Sequence, residues 1–215
     1  SCDPCTESCP DTITLAWTDA TAIRNAAGQA SNRPIDADPL TIVFPYADYY
    51  IDEYVYYWDG DPYAPECREQ ATSAVPVPTD ILWDGANNVT VIGCPGPNGE
   101  RPLVRVAPTP VHTVECGGGS SSYLHTVIPF KVTNSTGFTL EGLHLEGSAE
   151  VIAADPGIVS GSFGITTGNV HDYVISDMEI GHFATDGIML GHGVRTKDYA
   201  TQIATILADT NGVIS

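Results

Sequence analysis

Four side chains near the carboxyl end have the types that could carry acid–base chemistry. They are two carboxylates, one imidazole and one amine, namely Asp177, Asp186, His192 and Lys197. Abstraction of a proton beside a carboxylate needs a base such as Lys197 and a cation that neutralises the substrate's acid. Asp177, Asp186 and Asp198 have the oxygen atoms that calcium prefers. The alternative interpretation, that these are ordinary surface charges, is favoured because an acidic chain repels a polyanionic substrate.

Most of the tyrosines lie in one short stretch, between Tyr46 and Tyr63. Strand alternation predicts one face with four aromatic side chains, which are Tyr50, Tyr54, Tyr56 and Trp58. Ile51, Val55 and Tyr57 are then expected on the other face. Exposed aromatic rings stack on the apolar faces of sugars, so this strip is a candidate glycan-binding platform. The alternative is that the strip packs beneath a cap or against another subunit.

The charge balance excludes several classes of partner. There are 27 Asp and Glu residues against 8 Lys and Arg residues, with a formal net charge of -19. Nucleic-acid and anionic-membrane surfaces need clustered basic residues, which this chain lacks. Excess carboxylate is consistent with bound calcium, and Asp59 and Asp61 form a short acidic turn that could contribute ligands. No complete calcium loop and no histidine pair with metal-binding spacing is present.

Six cysteines predict disulfides and therefore an oxidising, extracellular location. They are Cys2, Cys5, Cys9, Cys67, Cys94 and Cys116. The first three suggest an amino-terminal lead-in stapled to the body of the fold, although the pairing stays open because six cysteines allow fifteen arrangements. The sequence begins with Ser1 rather than Met, as expected after removal of a signal peptide. No apolar run is long enough to span a membrane.

The elements predicted to position these residues are mainly strands, and we expect one all-β domain over residues 1–215. Residues 1–78 comprise the Cys-rich lead-in, a cap helix and a Pro- and Tyr-rich insertion, and residues 79–215 form solenoid coils. Thr18 or Asp19 is predicted to cap a helix that ends at Ala30. Leu40–Phe44 is predicted as a strand that Pro45 stops.

Alternating apolar segments recur through the second half and end in Gly, Asn or Asp. They are Val89–Gly93, Phe138–Gly147 and Tyr173–Gly181. Such segments bury their inward faces only against neighbouring coils, which is typical of a solenoid. Coils on the order of 20 to 29 residues would give about five to six from residue 79 onward. The Gly117–Ser122 run is predicted as a flexible excursion between coils.

The chain resembles the right-handed parallel β-helix, or pectin-lyase-like, superfamily at several points. Members commonly open with a capping helix, a strand ending in Pro and a Tyr-rich strand. The matching segments here are Asp19–Ala30, Ile42–Pro45, Ala47–Ile51, Asn87–Gly93 and Asp186–Leu190. The resemblance implies a right-handed parallel β-helix with an N-terminal cap, and it specifies a fold rather than a chemistry.

Three tripeptides are similar to those of polygalacturonases within that fold. They are Thr185–Gly187, Gly191–Gly193 and Arg195–Lys197. In that family these tripeptides lie on successive coils and accompany an adjacent Asp-Asp pair. This chain compresses them into one coil and lacks the Asp-Asp pair, which argues against the same active site.

The leading functional hypothesis from the sequence is an extracellular structural or assembly module. Thr205–Ser215 reads as strand, turn and strand with no closing helix, so the last coil is expected to be open. Either the chain is a portion of a longer protein or another molecule covers that coil. Self-association or a larger complex is therefore the expected partner, with polysaccharide as another. The alternative hypothesis is a polysaccharide lyase or glycoside hydrolase.

Overall fold

The computed structural model describes residues 2–57, 75–116, 119–148, 158–183, 185–191 and 212–215. The protein is all-β, with a single helix among these residues. In chain order the elements are β1 (Thr12–Thr14), α1 (Ala20–Ala30), β2 (Leu40–Phe44), β3 (Asp48–Ile51), β4 (Tyr54–Tyr57), β5 (Val75–Pro78), β6 (Leu82–Asp84), β7 (Val89–Gly93), β8 (Leu103–Val106), β9 (His112–Cys116), β10 (Gly119–His125), β11 (Phe130–Thr136), β12 (Phe138–Glu141), β13 (His144–Glu146), β14 (Ile158–Gly161), β15 (Phe163–His171), β16 (Val174–Ser176), β17 (Glu179–Gly181), β18 (Asp186–Met189) and β19 (Val213–Ile214).

Three parallel sheets contain most of these strands. The first sheet has the order β1-β2-β7-β12-β16-β19, the second β6-β11-β15-β18 and the third β3-β8-β13-β17. From β6 onward the chain passes through the second, first and third sheets in that order and then repeats the cycle. Each strand pairs in parallel with its counterpart from the previous cycle, as when Leu140 lies opposite Val91 and Ile175.

The length of one cycle corrects the expectation of short, even coils. The Ser135 hydroxyl accepts from the Ala86 amide 49 residues earlier, whereas the Asn169 and Asn134 side chains bond over 35 residues. Both separations exceed the expected 20 to 29 residues, whereas the pairing of Phe163 in β15 with Asp186 in β18 falls within that range. The difference arises because additional strands are inserted between the third and second sheets, at β4–β5, β9–β10 and β14.

The corner between the second and first sheets is built from stacked left-handed residues. Asn134 and Asn169 have φ of 49° and 57°, and Gly85 below them has φ of 61°. The Asn169 amide donates to the Asn134 Oδ1 at 2.8 Å, and Asn134 Nδ2 donates to Asp84 at 2.8 Å. Asn and Gly tolerate this backbone conformation better than other residues. The corner therefore recurs for two reasons. Asn and Gly tolerate the left-handed backbone, and the Asn side chains form hydrogen bonds between successive cycles.

The core lies between the three sheets and is apolar. Trp83 stacks on Phe130 with ring centroids 5.6 Å apart, and Phe44 contacts Phe130 at 6.2 Å. Both Trp83 and Phe130 are fully buried. The alternating segments noted in the sequence supply this core, since Val89, Val91, Leu140 and Leu145 are all buried. The predicted inward faces are thus confirmed.

Helix α1 packs against β6, the strand at one end of the second sheet. The Asp19 side chain accepts a hydrogen bond from the Ala22 amide, so Asp19 rather than Thr18 is the N-cap of the predicted helix. Ile23, Ala26, Ala27 and Ala30 form its buried face. The Ser31 hydroxyl then accepts from the Asp84 amide and connects the end of the helix to β6.

The prediction of a flexible excursion is wrong for the residues that begin β10. Part of the Gly117–Ser122 run, predicted to be a flexible excursion, forms the start of β10, which pairs antiparallel with β9. The Thr113 and Ser122 hydroxyls are 3.0 Å apart across this pair. Pairing with β9 and, in parallel, with β14 supplies the backbone hydrogen bonds that override the poor intrinsic strand preference of Gly and Ser.

Two disulfides hold the lead-in. Cys2 is bonded to Cys9 across a sequence separation of 7, and Cys5 is bonded to Cys94 across a separation of 89. The second bond ties the lead-in to the residue that follows β7, as the sequence suggested. Cys67 and the side chain of Cys116 lie outside the described residues.

Candidate functional site

The outer surface of the third sheet collects aromatic, acidic and basic side chains. Inward residues such as Tyr49, Val104 and Leu145 are buried, so their alternating neighbours face outward. We call this outer surface the third-sheet face, and its members are Asp48, Tyr50, Arg105, His144, Glu146 and Glu179. The strand register places Tyr50 beside Arg105, and Arg105 beside Glu146. Three consecutive strands thus form one column of functional groups.

Arg105 is the centre of this column. Its Nε and Nη2 atoms both donate to Oε2 of Glu146, at 3.1 and 2.9 Å. The hydrogen bond and charge of Glu146 raise the pKa of the Arg105 guanidinium, and Asp48 and Tyr50 act in the same direction. Glu146 therefore favours the charged guanidinium and orients it, and Tyr50 lies beside Arg105 in the strand register.

A second ion-pair group flanks the column. Arg101, in the segment between β7 and β8, donates through Nε to the Asp177 carbonyl at 2.8 Å and also pairs with the Asp177 carboxylate. Its Nη1 lies 3.9 Å from Glu179, and His144 Nδ1 lies 3.7 Å from the same carboxylate. Asp177, one of the predicted acid–base residues, is thus committed to an ion pair at the edge of the third-sheet face.

The predicted aromatic strip is divided between two elements. Tyr50 belongs to β3, whereas Tyr54 and Tyr56 lie on β4, which pairs antiparallel with β5. The Tyr54 and Tyr56 rings meet edge to face at 5.7 Å, and the hydrogen bond with Tyr56 raises the pKa of Tyr54. Trp58 lies outside the described residues.

The expected opposite face of the strip also differs from the structure. Ile51 is fully buried, but Val55 is 56% exposed, because β3 ends at Ile51 and β4 is a separate strand. The break contains Glu53, which Arg24 of α1 binds at 2.8 and 3.2 Å. The inward and outward alternation predicted for one continuous strand over residues 50–58 therefore does not hold across the break between β3 and β4. The side chain of Tyr57 is outside the described residues.

Sequence reasoning missed Trp17, which is 72% exposed, more than any other large apolar side chain that the structure describes. It precedes Thr18, whose carbonyl accepts from the Tyr50 amide at 3.1 Å. The chain from Trp17 to Asp19 consequently lies beside β3. Arg105 and Glu146 were missed as well, and only their outward positions in alternating strands could have identified them.

The four predicted acid–base residues are not assembled by the described part of the chain. Asp177 follows β16 of the first sheet, and Asp186 begins β18 of the second sheet. His192 and Lys197 lie outside the described residues, as do Asp59, Asp61 and Asp198. Within the described ranges no cluster of three or more His, Cys, Asp or Glu residues could hold a metal ion. The catalytic and calcium assignments stay predictions.

The chain was compared with protein-family models, curated proteins and solved structures, and none of them matches. Among the described residues, no helix has the length and apolar character needed to cross a membrane.

Proposed function

We propose that this chain is an extracellular β-helix module that contacts glycans through the third-sheet face. The observation that carries the proposal is Tyr50, which is 52% exposed on a strand whose alternate side chains, Tyr49 and Ile51, are buried in the core. An aromatic ring held on a regular strand offers a flat apolar surface at low entropic cost, next to the polar Arg105 and Glu146.

Three features support a right-handed parallel β-helix as the architecture of the module. The strands are parallel, they recur in one cyclic order, and each sheet gains one strand in each cycle. Parallel strands joined by a crossover in the same sheet are almost always right-handed. The resemblance to the pectin-lyase-like superfamily agrees with the cap helix α1 and with β2, which ends before Pro45.

The two disulfides support the extracellular part of the proposal. Disulfides persist in oxidising compartments and are rare where thiols are kept reduced. Cys5 and Cys94 are distant in sequence, so their bond is a structural staple rather than a local redox pair. The many acidic side chains keep such a protein soluble.

The test is binding to a panel of insoluble and soluble polysaccharides, with the wild-type chain compared with Tyr50→Ala. Loss of one stacking ring is expected to weaken binding by about tenfold. Ile35→Ala is the control, since Ile35 is 71% exposed and lies outside the third-sheet face. If wild-type protein binds no polysaccharide in the panel, or if Ile35→Ala weakens binding as much as Tyr50→Ala, the proposal is wrong.

Assembly with like subunits or a larger complex is a second candidate function. Val213 and Ile214 of β19 are 53% and 51% exposed, and β19 is an outer strand of the first sheet among the strands that the structure describes. Exposed apolar strand edges favour pairing with another chain. Light scattering across a range of protein concentrations tests this candidate, and a mass equal to one chain at every concentration would contradict it.

A further inference from the structure

We propose that the third-sheet face contains a subsite for an uncharged sugar, in which the Arg105–Glu146 pair binds neighbouring hydroxyl groups and Tyr50 stacks on the ring. This inference rests on the proposed glycan-contacting function and adds its location and ligand class. The column of Tyr50, Arg105 and Glu146 carries it, together with the open space beyond Glu146.

The hydrogen-bonding inventory of the ion pair fits a vicinal diol. Both Arg105 hydrogen bonds end on Oε2 of Glu146, which leaves Oε1 as an acceptor. Nη1 of Arg105 has no partner among the described residues and remains a donor. A donor and an acceptor therefore lie side by side on one surface. Two adjacent sugar hydroxyls, each able to donate and accept, match that arrangement.

The next position of the column supplies room for the ligand. Gly181 of β17 lies opposite Glu146, and a Cβ atom added at Gly181 would meet no described atom within 4 Å. Neighbouring strands are about 4.8 Å apart, so the column from Tyr50 to Gly181 is about 14 Å long. A short oligosaccharide that runs across the strands fits this length.

Charge indicates that the sugar is neutral. The Arg105–Glu146 pair has no net charge, and Asp48 and Glu179 lie on the same face. All five Lys and Arg residues in the described ranges already have partners within the chain: Arg24 and Glu53, Arg33 and the Asn87 and Asp38 carbonyls, Arg101 and Asp177, Arg105 and Glu146, Lys131 and Asp80. The carboxylate of a uronate would be repelled by the acidic side chains on this face. None of these five basic side chains is left without a partner that could offset that repulsion.

The experiment measures binding of cellohexaose, mannohexaose, xylohexaose and hexagalacturonate by calorimetry. We expect at least one neutral hexasaccharide to bind and hexagalacturonate to bind at least about tenfold more weakly. Glu146→Gln should weaken the neutral ligand about tenfold, because it removes a charged acceptor and the partner that orients Arg105. Lys131→Gln is the matched control, since it breaks an ion pair on the second sheet, and it should change the affinity less than about twofold.

A steric variant tests the site without removing any side chain. Gly181→Leu fills the open space and should abolish neutral-sugar binding. The control is Gly28→Leu, which adds the same atoms on α1, where a Cβ also meets nothing within 4 Å. This variant should leave binding intact. Thermal melting of each variant verifies folding. Tighter binding of hexagalacturonate, or unchanged binding by both Glu146→Gln and Gly181→Leu, overturns the subsite but not glycan binding itself. No binding of any sugar overturns both proposals.

Discussion

Among the described residues, Tyr49 is the one whose ionisation the fold changes most clearly. Its hydroxyl donates to the Pro45 carbonyl at 2.9 Å, and its side chain is 1% exposed. Burial raises the pKa of Tyr49 from 10.0 to about 12. The neutral phenol is thus favoured in the folded state, because the anion would be poorly solvated there.

This shift predicts that stability falls at alkaline pH. Between pH 10 and 12 the unfolded chain releases the Tyr49 proton while the folded chain retains it, so the free energy of unfolding decreases by roughly 1–2 kcal/mol as pH rises. Below pH 10 both states are protonated and Tyr49 contributes no pH dependence. Urea denaturation at successive pH values measures the effect.

Tyr49→Phe serves as the comparison for that measurement. The phenylalanine variant should lose this component of the alkaline decline, although it also loses the hydrogen bond to Pro45. An equally steep decline for the two proteins between pH 10 and 12 would show that Tyr49 ionisation is not the cause.

Local residue roles were predictable from sequence, and long-range ones were not. The Asp19 cap depends on an amide three residues away, so the local pattern was sufficient. The separation of Tyr50 from Tyr54 depends on Glu53 and its partner Arg24, 29 residues distant. The Arg105–Glu146 pair depends on strand register between residues 41 apart. Such pairs are defined only once the strands are aligned.

At the scale of elements, the two disulfides make different contributions because they close loops of different length. A longer loop loses more conformational entropy when it is closed in the unfolded chain. For the separations of 89 and 7 residues, the chain-entropy relation gives about 4.6 and about 2.4 kcal/mol. The Cys5–Cys94 bond is therefore expected to be the stronger stabiliser.

Paired serine variants test this expectation. Cys5→Ser with Cys94→Ser should lower the free energy of unfolding by about 2 kcal/mol more than Cys2→Ser with Cys9→Ser. Chemical denaturation under non-reducing conditions gives both values. Equal losses, or a greater loss for the Cys2 and Cys9 variant, would indicate that native contacts of the lead-in outweigh the entropy of loop closure.

Apolar alternation predicted the elements well where the core determines them. Strands β2, β7, β12 and β16 carry inward Val, Ile, Leu or Phe side chains and were found near their predicted positions. Strand β10 was missed because it opens with Gly and Ser, whose strand structure comes from pairing with β9. Polar strands of this kind lack the alternation of apolar and polar residues from which strands are predicted.

At the scale of the whole molecule, the net charge of -19 dominates the electrostatics. Attractive pairs such as Arg101–Asp177 and Arg105–Glu146 are partly exposed, and exposed pairs contribute at most about 1 kcal/mol each. Repulsion among the remaining carboxylates acts over the entire surface. It favours expanded states over the compact fold.

Added salt should therefore raise the melting temperature, because it screens this repulsion. Differential scanning calorimetry in dilute buffer and in about 0.5 M NaCl measures the effect, where the Debye length falls to a few ångströms. CaCl2 at equal ionic strength is the control. A larger increase with calcium would support the predicted calcium ligands, whereas a lower melting temperature in NaCl would show that attractive pairs dominate.

The asparagine and glycine corner has a consequence for how this architecture can be altered. At the corner between the second and first sheets, the Asn134 side chain donates to Asp84 and the Asn169 side chain donates to Asn134, although cycle length changes from 49 to 35 residues. Up to β18, the variation is concentrated in the connections from the third sheet to the second, at residues 52–81, 107–129, 147–162 and 182–185, whereas residues 190–212 form a long connection from the second sheet to the first between β18 and β19. Foreign peptides or whole recognition loops grafted between the third and second sheets should leave the scaffold in place, so that side of the molecule is open to evolutionary and engineered diversification while the second-to-first corner is constrained from β6 to β16.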